Sequence, residues 1–393
     1  MIELEKAYEI ISENCPDIKI KDVAVEKATG FVCMEDMYSK INMPPFNKSA
    51  MDGYAFKYSD GVSQYKNAGI LPAGGSSSIV AGEGECVSIM TGAPLPSGTD
   101  TVIMIEATEK EGKNVTFRKV SSKGSNVCYK GEDIKEGDLI FKKGQKIKSS
   151  DIALITASGF SKLKVSAKPE ISVLNTGSEI IEPGNDLKYG QIYNTNGIML
   201  RAMSEKYGLK TKYLGIAEDE KAALSEKITE GLKSDIFLIS GGVSMGEFDL
   251  IPDILQDLGV KKLFHKVRIK PGKPVFFGKK DNCLVFGLPG NPLSNFVGFE
   301  LFVRTAVRKI TGEKQVFPVY LKGFIQKEFH HKGNRKNFYP ALIKNDNGMV
   351  KVDPVISNGS ADIFSLSKAN GFLIADINKR NYQPGDEIEY ICF

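Results

Sequence analysis

The chain has 393 residues, 41% hydrophobic and 25% charged, with a net charge of +4. That length suits roughly two to four domains and a substantial core, while so small a charge leaves no nucleic-acid footprint. The six cysteines form no CxxC pair, three histidines are too few for a His-rich metal centre, and the charged opening MIELEKAYEI is no signal or membrane segment. The expectation is a soluble, cytoplasmic protein with reduced thiols and no membrane or nucleic-acid partner.

Along the chain, Leu4, Ala7, Tyr8, Ile10 and Ile11 recur at helical spacing. From Pro44 to Val120 the sequence turns rich in glycine, proline, Val and Ile, with turn signals PAGG, GEGE, PLPSG and KEGKN, which predicts a small β domain. Residues 131–166 carry GEDIKEGD and FKKGQKIKSSD and then an apolar run, Ile152 to Ala157, which returns to the N-terminal segment. Residues 168–312 alternate strand patterns (near 171, 236, 274 and 284) with helix patterns (197–208, 220–233, 250–258 and 292–311). This alternation implies a mostly parallel sheet covered on both faces, a three-layer α/β domain. Beyond Phe317, short β runs with the turns NDNG, SNGS and YQPGDE predict a C-terminal barrel or sandwich. The fold class expected is multidomain α/β plus β, divided as 1–43 with 137–166, 44–136, 167–316 and 317–393.

Three strand ends in the α/β region carry small polar residues. The run Ile236 to Ile239 leads into SGGVSMGEFD, Ser240 to Asp249. Gly241 and Gly242 can turn backbone N–H groups toward an anion, and the following helix adds its positive end. Glu247 and Asp249 would repel a bare phosphate, so the loop reads as a Mg²⁺-assisted phosphate site. Its competitor is a tight turn with Asp249 as a helix cap. Cys283 to Phe286 precede GLPGNPLSN, with Asn291 as N-cap, Pro292 in the first turn and Gly312 as the C-terminal stop of a buried helix. Ile171 to Leu174 precede NTGSE, ending at Glu179. Such ends line one crevice in an open α/β sheet. In KVRIKPGKP, Lys266, Arg268 and Lys270 would share one side of a strand with Lys273 beyond the turn. The row is either an oxyanion trap or a solvated edge strand.

The strings PPFNKSAMDGYAF, IMTGAPLP, GEDI, NTGSE, SGGVSMGEFD, KPGKPVFFG and GLPGNPLS, in this order, resemble the molybdopterin molybdenumtransferase (MoeA) family, to which the gephyrin E domain is related. The resemblance implies a homodimer of elongated four-domain subunits, each active site completed by the second subunit's small β domain. It implies insertion of molybdenum from molybdate into adenylylated molybdopterin with release of AMP, assisted by Mg²⁺. A molybdopterin adenylyltransferase would act upstream, and molybdoenzyme apoproteins would receive the product. Carried over residue by residue, Asp249 and Glu179 would hold the metal with Asp219 nearby, Asp52 and Thr91 would reach in from the partner, and Asp133 is a further matched acid. Lys270, Lys273, Ser294, Arg335 and Ser360 fall on the molybdate side, and Lys266 matches a further, catalytic site lysine. Further cofactor-binding candidates are Ser178, Ser240, Gly241, Gly242 and Pro274. Plainer roles compete at Asp52 (a turn), Asp219 (a helix cap) and Thr91 (a turn cap). The chain departs from the family at Asn47, where an acid is usual, with Lys48 beside it, and at Asn194, where family members often have an acid. A scaffold role, or a nucleotide-binding transferase or pyrophosphatase unrelated to molybdenum, are the alternatives; there is neither a Walker lysine nor a GxGxxG.

Overall fold

The computed structural model describes residues 1–75, 78–119, 122–243, 250–331 and 333–393. Glu247 and Asp249 therefore lie outside the described residues.

The central sheet runs in the order Lys210–Ala217, Glu170–Thr176, Ile236–Ser240, Cys283–Leu288, Phe276–Lys280, Lys261–Phe264. The first four strands are parallel. Its middle strands are apolar throughout because both faces are covered. Ile236 and Leu238 enter one core cluster with Ile171, Leu200 and Met203, while Phe237 and Ile239 enter another with Leu224, Ile228 and Ile254. Alternate side chains of one strand thus feed opposite layers. The strand expected near 274 begins at Phe276 and runs antiparallel to Cys283–Leu288. The physical reason is the two-residue link Asp281–Asn282, with Asp281 at φ 50°. A loop that short joins only antiparallel neighbours.

The predicted C-terminal helix of this unit is continuous but not uniform. Pro292–Gly298 passes through a π-helical turn, Phe299–Val303, into Arg304–Ile310. Gly312, at φ +72°, ends it as expected. The π turn buries Glu300 to 3% exposure, where it is ion-paired with Arg304 one turn on.

Of the two C-terminal options the structure takes the barrel. Lys336–Asp346, Met349–Pro354, Leu321–Ile325, Glu387–Cys392 and Gly371–Ala375 are joined in that order, and pairing of the first with the last closes the ring. Toward the N-terminus, a six-stranded sheet spans residues 53–117. The segments flanking it pack on one another: Val25, Cys33 and Met37 share a core with Phe141, Ile155 and Val165. Ile20–Ala24 also pairs with Lys162–Ser166. The helix Leu4–Asn14 buries the predicted face, Leu4, Ala7, Tyr8 and Ile11, in the same cluster as Phe302 and Val303. All six cysteines are free, and among the described residues no helix is long and apolar enough to cross a membrane.

Candidate active site

Parallel register brings the strand ends level. Asn175 lies opposite Ser240, and Ser240 opposite Leu288. Thr176 lies opposite Ala217, so Glu179 and Asp219 leave the sheet from adjacent strands. This is the crevice that strand–loop–helix alternation implies. Gly241 is required there: at φ +93° its added Cβ would stand 2.5 Å from the Thr176 carbonyl oxygen.

Ser240 is not open to a ligand. It is 1% exposed, and its hydroxyl accepts from Asn196 Nδ2 at 3.0 Å and Asn295 Nδ2 at 2.9 Å. The same amides donate to the carbonyls of Gly290 (2.7 Å) and Pro289 (3.2 Å). The Ser240 hydroxyl therefore ties together the segments that leave the sheet here.

Asp219 does not cap the following helix, whose N-cap is Glu220 with no side-chain hydrogen bond. Its carboxylate instead accepts the Ser178 N–H at 3.3 Å. Ser178, Glu179 and Asp219 are all exposed on neighbouring loops. Carboxylate oxygens left to solvent beside a strand-end crevice are the donor type a hard divalent cation prefers. Among the described residues there is no cluster of three or more His, Cys, Asp or Glu that could hold a metal. The third acid expected here, Asp249, falls outside them.

Just past the end of the parallel strand Cys283–Leu288, Pro289, Asn291 and Ser294 border a cavity of about 400 Å³ between the α/β unit and the barrel. Lys270, Lys273, Pro274, Ser294, Arg335 and Ser360 all line it. Arg335 is anchored by donating to the Ile269 carbonyl at 3.0 Å, and Lys270 lies opposite Asn337 in a parallel pairing. Asn291 begins the Pro292 helix but does not cap it through its side chain. Its amide donates to Ser360 Oγ at 2.9 Å, and Leu293 N–H donates to the Ser360 carbonyl at 3.1 Å. The predicted cap thus ties the barrel's loop to the helix start.

Lys266 is not among the residues lining the cavity. Regular strand covers only Ile269–Lys270, and Arg268 is ion-paired to Glu3 at 2.8 Å. The one-sided row is corrected to a pair, Lys270 and Lys273, with Arg335 as the third cation. Val267 and Ile269 are fully buried, so the alternation that suggested the row is real but mostly anchors the segment.

Sequence reasoning missed Asn337 and Tyr339, which also line the cavity. They follow Arg335 at two-residue spacing, the strand signal that could have found them. Behind them, His331 is 1% exposed; its Nδ1 lies 3.1 Å from Tyr339 Oη. Burial, then the nearby Lys270 charge, pulls the His331 pKa below its ordinary value.

Asp52 and Thr91 lie on the small β unit. Asp52 Oδ1 accepts both the Thr91 N–H (2.7 Å) and its hydroxyl (2.8 Å). These two bonds, the backbone one first, hold the carboxyl below its ordinary pKa. Neither residue lines the 400 Å³ cavity. Asp133 is also exposed, with its N–H bonded to the Met43 carbonyl at 3.0 Å. Among the departures, Asn47 Oδ1 accepts the Lys130 N–H at 2.8 Å, a role an acid could fill. Asn194 cannot be exchanged so simply. It is buried, accepts from Asn175 and donates to Glu182 Oε1 at 3.0 Å. A carboxylate at this position could not donate and would meet Glu182 as a like charge.

Comparison with known proteins matches the same regions. The MoeA N-terminal region (domains I and II) matches residues 2–159, a probable molybdopterin binding domain residues 172–309, and the MoeA C-terminal region (domain IV) residues 322–393. A molybdopterin molybdenumtransferase of Staphylococcus aureus (strain Mu50) is 33% identical over 398 residues, covering 99% of this chain and 95% of the relative. One from Staphylococcus epidermidis (strain RP62A) is 31% identical with the same coverage. The crystal structure of a molybdopterin biosynthesis MoeA protein from Pyrococcus horikoshii superposes with a TM-score of 0.83 at 31% identity, covering 100% of this chain and 99% of that one.

Proposed function

Since this chain belongs to the molybdopterin molybdenumtransferase family, enzymes of molybdenum cofactor biosynthesis, we propose that it inserts molybdenum from molybdate into adenylylated molybdopterin and releases AMP. The observation that carries this reading is the convergence of Lys270, Lys273, Arg335, Ser294 and Ser360 on one cavity. Cations and hydroxyls around a concave site are what a tetrahedral dianion needs. Arg335 is held by a backbone carbonyl, so its remaining donors are pre-aimed and little ordering is left for the moment of reaction.

The nucleotide end is the level strand-end shelf. There Gly241 and Gly242 allow close backbone approach, and the Ser240 network keeps the loops in place. Glu179 and Asp249 are the residues that would hold Mg²⁺, with Asp219 beside them. Such a cation neutralises charge on a phosphoanhydride and its leaving phosphate. The chain's own contribution is positional: it keeps the oxyanion cavity and the carboxylate loops just past the ends of parallel strands of one sheet.

Asp52 and Thr91 act in this reading from the second subunit of a homodimer, which fits their mutual bonding on an exposed face away from the cavity. Asp133 is assigned the same kind of role. The four segments 1–43 with 137–166, 44–136, 167–316 and 317–393 are the proposed domains. A molybdopterin adenylyltransferase would supply the substrate in the cytoplasm, and molybdoenzyme apoproteins would take the product.

The test is AMP release by purified protein given adenylylated molybdopterin, Mg²⁺ and molybdate. Lys270→Ala should raise the molybdate concentration needed at least tenfold while pterin binding is retained. An unchanged molybdate requirement overturns the oxyanion role, and no molybdate-dependent AMP from the wild-type chain overturns the reaction.

A further inference from the structure

A second basic cleft lies away from this crevice, where the N-terminal segments meet the long C-terminal helix of the α/β unit. It encloses about 80 Å³. Lys146, Ser166 and Lys168 line it from one side, and Arg304, Arg308 and Glu313 from the other. Two of the four cations have acids: Arg304 pairs with Glu300, and Lys146 lies 3.4 Å from Glu313. Arg308 and Lys168 have no ion-pair partner among the described residues. Lys168 Nζ reaches only the Tyr207 carbonyl, at 3.4 Å, and the face of Phe31.

Ser166 supplies an independent observation. It is 1% exposed, and its hydroxyl has no hydrogen-bond partner among the described residues. A buried hydroxyl left unpaired is costly, and most such groups in folded proteins have a partner. Here the orphan lines a cleft with two unneutralised cations. Burial, and after it the neighbouring cations, pulls the pKa values of both Lys168 and Arg308 down, against the smaller opposing pull of Glu313.

We propose that this cleft binds a small tetrahedral oxyanion of the phosphate or sulfate class, which joins the N-terminal segments to the α/β unit. Ser166 donates to it, and Arg308 and Lys168 supply the charge. Size excludes a nucleotide, since sites for ligands of that bulk enclose several hundred Å³. The ligand is a structural effector rather than a reactant, because the residues that hold it are absent from the crevice described above.

The experiment uses the full chain carrying Lys270→Ala and Lys273→Ala, which silences the other basic cavity. Calorimetric titration with inorganic phosphate, and separately with sulfate, is run at ionic strength held constant with chloride. One saturable site per chain is expected. Arg308→Gln should weaken it at least tenfold, Ser166→Ala severalfold, and Glu313→Gln should tighten it by removing the one acid of the lining. Bound anion should also slow hydrogen exchange of the Gly30 and Ile147 amides, which link the N-terminal segments by bonds of 2.8 Å. If Arg308→Gln fails to fold in chloride, Ser166→Ala and Glu313→Gln decide. The proposal is overturned by the lack of a saturable site at millimolar phosphate or sulfate, or by an affinity that none of the three substitutions changes.

Discussion

Replacing Ser240 with alanine tests the idea that the strand-end shelf is held by one hydroxyl. Ser240 Oγ accepts from two buried amides, Asn196 at 3.0 Å and Asn295 at 2.9 Å, and Ser240 itself is 1% exposed. The substitution leaves one N–H of each amide without a partner in a place water does not reach. An orphaned buried donor costs about 1–3 kcal/mol. Two of them, with some relaxation toward the Gly290 and Pro289 carbonyls that each amide already contacts, give an expected loss of about 2–4 kcal/mol. Urea unfolding followed by far-UV circular dichroism would measure it, with hydrogen exchange locating it to the loops after residues 240 and 288. The cycle with Asn295→Ala should be non-additive by about 1 kcal/mol, because each single change strands the other's partner. A loss under about 0.5 kcal/mol, the range of ordinary surface substitutions, or strict additivity would refute the reasoning. AMP release should fall through a raised substrate requirement, as expected of a residue that positions loops.

Gly241→Ala should destabilise by at least about 1–3 kcal/mol from backbone strain at φ +93° alone, with the Thr176 carbonyl contact adding to it; a melting temperature equal to wild type would contradict the geometry. Glu179→Gln, on an exposed loop, should leave stability within about 0.5 kcal/mol yet weaken Mg²⁺ binding in a calorimetric titration, and an unaltered titration would remove Glu179 from the donor set. His331 carries a pKa lowered by burial and then by Lys270. The unfolded chain binds the proton first, so its contribution is fully present above the unfolded value of about 6.5 and is lost as pH falls toward the folded one. Melting temperature should accordingly fall between about pH 7 and pH 5 more steeply in wild type than in His331→Asn, and equal slopes would argue against it.

Much of the architecture was legible because it follows from local periodicity. The two-faced burial of Ile236–Ser240 comes from an uninterrupted apolar run, the Gly312 stop from helix chemistry, and the β-rich ends from turn clusters. The direction of Phe276–Lys280 was missed although Asp281–Asn282 is a short-hairpin signal, because the alternation of strands and helices around it suggested a parallel crossover. Asn291 suits a cap by its type, because Asn accepts N–H groups at helix starts. Its amide turns instead to Ser360, which no local pattern indicates. Alternation in KVRIK reflects the buried Val267 and Ile269; Lys270 does reach the cavity, while Glu3, far away in sequence, takes up Arg268.

By itself the order of residues determined the class of fold, the glycine loops at strand ends and the family motifs, since each depends on neighbours a few positions apart. Tertiary structure alone decided which charges meet. Lys270 and Lys273 join Arg335, Ser294 and Ser360 only because the barrel's loops dock on the start of the Pro292 helix, and Ser240 is sealed only because amides from two other segments converge on it. Electrostatics and hydrogen bonding act through space over a few ångströms, and the chain distances that separate these partners carry no record of that approach.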